Sequence, residues 1–312
     1  MRKVMLAVLA AFSTVAVAAP AVVHSPYKYL SPWDPAQGVQ TWAFASGECG
    51  EERWGEVDGA AVAAANVPRF VQAGVGYVVS TGGQGSIFTC ATDEGMELFV
   101  SRYMSPQLIG FDFDIEHGQT AAQIDSLVAR IALVQRARPQ LRLSFTIATH
   151  AASDGSARSL NETGEQVLAA LRKHGVQDYV LNLMVMDFGP ASRKVCVVRR
   201  GRCDMAASAI QAAQNVHHKY KVPFAQIELT PMIGVNDVAE NVYTLDDARA
   251  TVSAVRKMGM AGVHFWSLDR DQPCGKPSKG AEANCSSMAN VAAGSYRRIL
   301  VPAAAIPRKA SQ

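Results

Sequence analysis

The segment 109–116, IGFDFDIE, restricts the folds open to this chain more than any other stretch. In an extended strand the side chains alternate faces, so Asp112, Asp114 and Glu116 share one side while Phe111, Phe113 and Ile115 share the other. The apolar side calls for cover by packed helices. The acidic side carries three carboxyls, which are costly in an apolar setting unless a site uses them. Like charges this close do not all ionise cheaply, so one or more should titrate above its usual range. A glutamic acid kept protonated at the end of a strand suits a general acid. Two other readings exist. An exposed edge strand would solvate its carboxylates, but the bulky opposite face speaks against it. A divalent cation would also favour several carboxylates.

Short apolar runs recur at 27–30, 39–45, 76–80, 109–116, 141–147, 179–186, 225–230 and 262–267. Several are apolar on both faces, as strands covered by helices are. Helical patterns lie between them at 121–136, 165–174, 205–220 and 245–258. Gly175 and Gly259 are placed as C-caps, and Asp246 or Asp247 as the start of the last helix. The alternation predicts an α/β fold, a (β/α)8 TIM barrel, in a single domain over 20–300. Its weak point is the first crossover, where only 31–38 separates two strands and a parallel connection normally needs a dozen residues or more. The first strand is then displaced, or the first helix is missing and the crossover shortened. A doubly wound open sheet is the alternative. The end, 301–312, with Pro302, Pro307 and basic residues, reads as a flexible tail.

Apolar residues make up 49% of the 312 and charged residues 18%, with a formal net charge of +3. This is a globular composition, and without a basic, aromatic-rich segment it gives no case for nucleic acid. Arg2 and Lys3 precede an apolar run over 4–19, which predicts a signal peptide, 1–19, cleaved after Ala18 or Ala19. That run is short for a membrane anchor and no later one is long enough to span a bilayer. The expectation is a secreted protein, extracellular or periplasmic, with no membrane attachment. Export makes disulfides the natural use of Cys49, Cys90, Cys196, Cys203, Cys274 and Cys285. Sequence leaves their pairing open, although 196 with 203 and 274 with 285 would each staple a loop. A zinc site is disfavoured because no pair has C-x2-C spacing.

The stretch 109–116 resembles the signature of glycoside hydrolase family 18, D-x-x-D-x-D-x-E on the fourth barrel strand, and within it a bacterial and archaeal chitinase group. Ser80-Thr81-Gly82-Gly83 is similar to the family's S-x-G-G, and 182–189 (NLMVMDFG), 231–237 (PMIGVND) and 266–271 (WSLDRD) resemble later landmarks in the same order. The resemblance implies an endo-acting chitinase that works on chitin or chitooligosaccharides as a monomer, with no cofactor and no metal. It implies substrate-assisted retention, an exception to the paired-carboxylate scheme. Glu116 would be the acid, Asp114 would orient the substrate acetamido group, and Asp112 would tune Asp114. Asp187, Met184, Met186 and Trp266 would bind substrate, Trp266 as the floor under the reacting sugar.

Two positions depart from that pattern. Ile109 stands at the first signature aspartate. Met186 stands where many members carry tyrosine, and methionine has no hydrogen to donate to an acetamido oxygen. A weakly active or inactive chitin-binding barrel is therefore the rival reading, with hydrolysis of another N-acetylhexosamine polymer beside it. Ser80, Gly82 and Gly83 are expected to permit tight packing, Thr149 and His150 to line the cleft, Trp42 to fill the core, and Trp33 and Trp54 to serve as sugar platforms in loops. Glu228 could face either side of its strand.

Overall fold

A computed structural model describes residues 23–29 and 32–301, so the segment 1–19, Leu30 and nearly all of the tail lie outside the described residues. Eight parallel strands form one sheet in chain order: β1 (Tyr27–Lys28), β2 (Gln40–Ala45), β3 (Tyr77–Gly82), β4 (Leu108–Asp114), β5 (Arg142–Ala148), β6 (Tyr179–Met184), β7 (Ile227–Thr230) and β8 (Gly262–Val263). The ring closes where Val23 bridges Gly262 and the Tyr27 N–H donates to the Phe265 carbonyl. Closure selects the (β/α)8 barrel over the open doubly wound sheet.

Helices α1 (Gly59–Ala73), α2 (Asp93–Tyr103), α3 (Ala121–Ala137), α4 (Glu162–Lys173), α5 (Met205–Tyr220) and α6 (Leu245–Met258) follow β2 to β7 in turn, and α7 (Ser295–Leu300) follows β8. The third to sixth helices match the apolar periods. The start of α6 is set by Thr244, whose side chain forms a reciprocal capping box with Asp247, so Asp247 acts at the third helical position. The first two helices escape the periodic pattern. Helix α1 is rich in alanine and carries Pro68, which blurs its apolar stripe. Helix α2 buries only Met96, Phe99, Val100 and Tyr103 between polar turns.

The first crossover is indeed shortened. A single 3-10 turn, Pro35–Gln37, replaces its helix. Trp33 fills the gap by stacking on Trp42 at 5.5 Å, and Trp42 stacks on Tyr77 at 4.4 Å. Large aromatic surfaces thus cover strands that a helix would otherwise have sealed.

The two ends of the barrel differ in chemistry. At the N-terminal end Glu228 faces inward, fully buried, and pairs with Arg142 and with His264 Nε2 at 3.0 Å. Burial alone would push its carboxyl up. Arg142 and His264 outweigh that and hold it down at about 2. At the C-terminal end lie three disulfides: Cys49–Cys90 ties the loop after β2 to the segment after β3, Cys196–Cys203 closes the loop after β6, and Cys274–Cys285 closes the loop after β8.

Replacing Arg142 with methionine leaves the buried Glu228 charge short of its main partner. We expect a loss of about 3–5 kcal/mol at neutral pH, read by urea unfolding. Because the folded Glu228 carboxyl lies below its unfolded value of 4.5, its contribution is full above that pH and is lost as pH falls toward 2. The gap between wild type and variant should therefore narrow through that acid range.

Candidate active site

Parallel register brings the acidic strand its neighbours. Ser80 of β3 and Ser144 of β5 lie opposite Asp112, and Gly82 and Thr146 lie opposite Asp114. Asp112 is 1% exposed. Its Oδ2 accepts from the Tyr27 hydroxyl at 2.8 Å and Ser80 Oγ at 2.6 Å, and its Oδ1 from Ser144 Oγ at 2.7 Å and Thr146 Oγ1 at 2.8 Å. Behind these, Asn182 Nδ2 donates to the Tyr27 and Thr146 hydroxyl oxygens, and Thr230 Oγ1 donates to Asn182 Oδ1 at 2.7 Å. The donors run inward from five other strands toward one carboxylate.

Asp114 is different. It is buried, and its Oδ1 has no hydrogen-bond partner among the described residues. Burial, reinforced by Glu116 and Asp112, pushes its carboxyl well above the usual range. Regular pairing of β4 stops at Asp114, but the Ile115 N–H still donates to the Thr146 carbonyl at 3.0 Å. The alternation therefore persists one step beyond the strand: Ile115 is buried and Glu116 enters the cavity. Burial raises the Glu116 carboxyl; His117 opposes this, while Asp187 and Asp237 add to it.

The residues meet in a cavity of about 380 Å³ at the C-terminal end of the barrel. Asp114, Glu116, Met184, Met186, Asp187 and Trp266 line it, and Asp112 lies beneath. Asp187 adopts a left-handed backbone, φ +49°, which Asp tolerates better than most residues. Its N–H donates to Asn236 Oδ1 at 3.3 Å and its Oδ1 accepts from the Val238 N–H at 2.8 Å, clasping the turn after β6 to the loop after β7. Burial raises the Asp187 carboxyl, the Val238 bond opposes this, and Asp237 adds to it. Trp266 forms one wall, stacked on Phe44 at 5.6 Å and 13° between planes.

Gly82 and Gly83 do more than pack closely. Both have φ near +80°, and a Cβ would fall 2.1 Å from the Asp114 carbonyl oxygen at the first and 2.6 Å from the Phe44 ring at the second. Thr149 and His150 line the cavity, with His150 Nε2 accepting from Arg158 at 3.0 Å. Trp33 and Trp54 depart from their expected role. They are 4% and 8% exposed, Trp33 packs on Trp42, and Trp54 donates to the Tyr103 hydroxyl, so they are packed into the core and show only an edge to a hollow beside the cavity rather than standing as open platforms. Sequence reasoning passed over Tyr27, Phe44, Ser144, Thr146, Asn182 and Asp237. For Ser144, Thr146 and Asn182 a signal was present: Ser144 and Thr146 alternate with apolar residues along β5, and Asn182 is a lone polar residue on the inward face of β6. For the ladder's divalent-cation reading, the one cluster of potential ligands among the described residues is Glu48, Cys49 and Cys90, whose cysteines form a disulfide.

No family model matches the chain. It is 27% identical over 262 residues to the probable bifunctional chitinase/lysozyme of Escherichia coli (strain K12), covering 79% of this chain and 27% of that protein. It is 27% identical over 215 residues to endochitinase 11 of Metarhizium anisopliae, covering 65% of this chain and 41% of that protein. The chain thus spans well under half the length of either relative. Among solved structures, the catalytic domain of the hyperthermophilic chitinase from Pyrococcus furiosus superposes with a TM-score of 0.73 at 25% identity, over 94% of this chain and 99% of that one. The fold is that of a glycoside hydrolase barrel with its site at the C-terminal end of the strands. Within that class the chain is similar to chitinases in sequence and in fold.

Replacing Tyr27 with phenylalanine removes a donor to a buried carboxylate and a partner of Asn182. We expect a loss of about 1.5–3 kcal/mol in denaturant unfolding.

Proposed function

We propose that the chain is an exported chitinase that hydrolyses β-1,4 links between N-acetylglucosamine units by substrate-assisted retention. The observation that carries this reading is the ordered ladder at one cavity: Asp112 caged by hydroxyls, Asp114 buried with a free oxygen, and Glu116 at the mouth with a raised carboxyl.

Each part has a role in the chemistry. Glu116, held protonated, gives its proton to the glycosidic oxygen as the bond to the leaving sugar breaks. The acetamido oxygen of the same sugar attacks the anomeric carbon and forms a cyclic intermediate, so no protein nucleophile is needed. The free Oδ1 of Asp114 accepts the acetamido N–H and aims that group. Glu116, now a base, takes a proton from the water that opens the ring, and the configuration is retained. Trp266 presents an apolar face to the pyranose ring. Met186 donates no hydrogen bond to the acetamido oxygen, and in this reading Asp187, whose carboxyl is raised mainly by burial, donates it instead when protonated. The acetamido group is a reactant here, so a fully deacetylated polymer is not a substrate. Three disulfides among the described residues support export.

The rival reading, a barrel that binds chitin with little turnover, draws on Met186. Glu116 decides between them, because binding alone has no use for an acid with a raised carboxyl there. Glu116→Gln should lower kcat on soluble chitin oligomers by at least about 10²-fold, with binding retained. Unchanged turnover would remove Glu116 from its role. In the wild type, activity should fall as pH rises through the raised Glu116 value. Asp237→Asn removes one of the charges that raise it, so this alkaline limb should move to lower pH in a pH–rate profile.

Asp187→Ala should cost about 10²–10³-fold in kcat, the usual loss for one donor to a developing charge. Asp187→Asn keeps an N–H donor and should retain more activity than the alanine variant. Equal losses in steady-state assays would argue against the donor role, because asparagine keeps both an N–H donor and the oxygen that accepts from Val238.

A further inference from the structure

The cavity over Asp114 continues past Trp266. A second hollow of about 560 Å³ adjoins it, and Phe44, Gln84, Met232, Asp237 and Trp266 border both. Its far walls come from Trp54 and Gly55 after β2 and from 281–283 after β8. Tyr29 stands at the rim, 50% exposed, with its N–H bonded to Asp269 at 2.9 Å and its ring 5.7 Å from Trp266. The aromatic surface therefore extends from the reacting position into the second hollow.

The acids bordering the second hollow are Asp237 and Glu282; Asp114, Glu116 and Asp187, whose carboxyls are raised, border the first and add little charge. Of the basic groups nearby, His117 is exposed beside Glu116, and the others are paired or set into the wall. Arg270 borders the second hollow but is 1% exposed, and its guanidinium donates to the carbonyls of Glu282, Ile233 and Val235. His150 accepts from Arg158, and burial together with Arg158 pushes it below its ordinary value, which leaves it neutral at neutral pH. Lys28 is paired with Asp269. Asp237 sits at the junction of the two hollows. Its charge reaches both sides, acting on Glu116 and Asp187 in the first and on Arg270 in the wall of the second.

We propose that this cleft sorts glycans by charge: it favours chitin in which some units are N-deacetylated, with Asp237 facing the ammonium of a glucosamine unit in the second hollow, and it disfavours carboxylate-bearing glycans such as peptidoglycan. The inference rests on the reading of the first cavity as a chitin-hydrolysing site, which still requires an acetylated unit at the reacting position. Carboxylates at the junction and rim of a cleft with low-dielectric walls attract a cationic polymer and repel an anionic one, and both effects weaken as salt screens the field. A neutral chain feels neither. Had Asp237 served only to accept hydroxyl groups of a neutral sugar, its replacement would weaken all substrates alike and salt would matter little.

The test measures KM of the full chain for three substrates at low and high salt, at a pH where free sugar amines are protonated: a neutral chitin hexamer, a half-acetylated chitosan and peptidoglycan. The expected result is a chitosan KM that rises about tenfold or more with salt, a hexamer KM that stays flat, and poor peptidoglycan turnover at low salt. Asp237→Asn should cut the salt dependence on chitosan by at least half. If that variant does not fold, judged by its near-ultraviolet dichroism, Glu282→Gln should reduce the same slope. A salt-independent chitosan KM, or peptidoglycan cleaved as well as chitin at low salt, overturns the proposal. Failure to cleave the hexamer would sink the chitinase reading instead. The charge preference is then read from binding, where equal dissociation constants of wild type for chitosan and chitin oligomers at low salt overturn it.

Discussion

A carboxylate at the centre of a barrel has no water to solvate it, and the protein must do so instead. In this chain the task falls on hydroxyls from β1, β3 and β5, which surround Asp112 in pairs, one pair to each oxygen. The arrangement demands a closed ring, because Tyr27 belongs to the first strand and Asp112 to the fourth. It also demands fixed register, because Ser80 and Ser144 reach Asp112 only while they lie opposite it. A slip of one residue would turn these hydroxyls toward the helices and leave the charge bare. The polar network thus ties the shape of the barrel to the chemistry above it.

The ladder above Asp112 works by contrast. The lowest member has all its acceptors occupied, the middle one has an oxygen free, and the last stands in the cavity beside Asp187 and Asp237. Moving up the strand, solvation by protein gives way to mutual repulsion among acids. Asp114 therefore holds a proton more readily than a free aspartate, a shift created by burial and neighbouring acids and not by the side chain itself.

Much of this was legible in the sequence. The alternation in 109–116 implied a strand with one acidic and one apolar face, and the structure sets Phe111 on Phe99 and Phe113 near Phe88 on the helix side. The shortness of the first crossover was visible too, and so were the helices with clear apolar periods. What stayed hidden depends on contacts between distant segments. Nothing local to Tyr27 shows that its hydroxyl meets a carboxylate 85 positions later. Trp33 and Trp54 read as loop residues, but Trp54 lies in a short strand pairing with Val57, and only the missing helix explains why Trp33 is drawn into the core. Asp237 lies in a loop whose course is set by the clasp between Asp187 and Val238, and local sequence does not encode that partner.

The disulfides share an address. Each ties loops at the end of the barrel that holds the cavity, whereas the opposite end relies on the buried pairing of Glu228 with Arg142 and His264. The scaffold and the rim are thus fastened by different chemistries that answer to different surroundings, one to acidity and the other to oxidant. A molecule made without oxidant would keep a ring of strands and an acidic ladder but would hold the walls of its second hollow only loosely. The shape of that hollow then becomes a property of the compartment in which the chain folds as well as of its sequence.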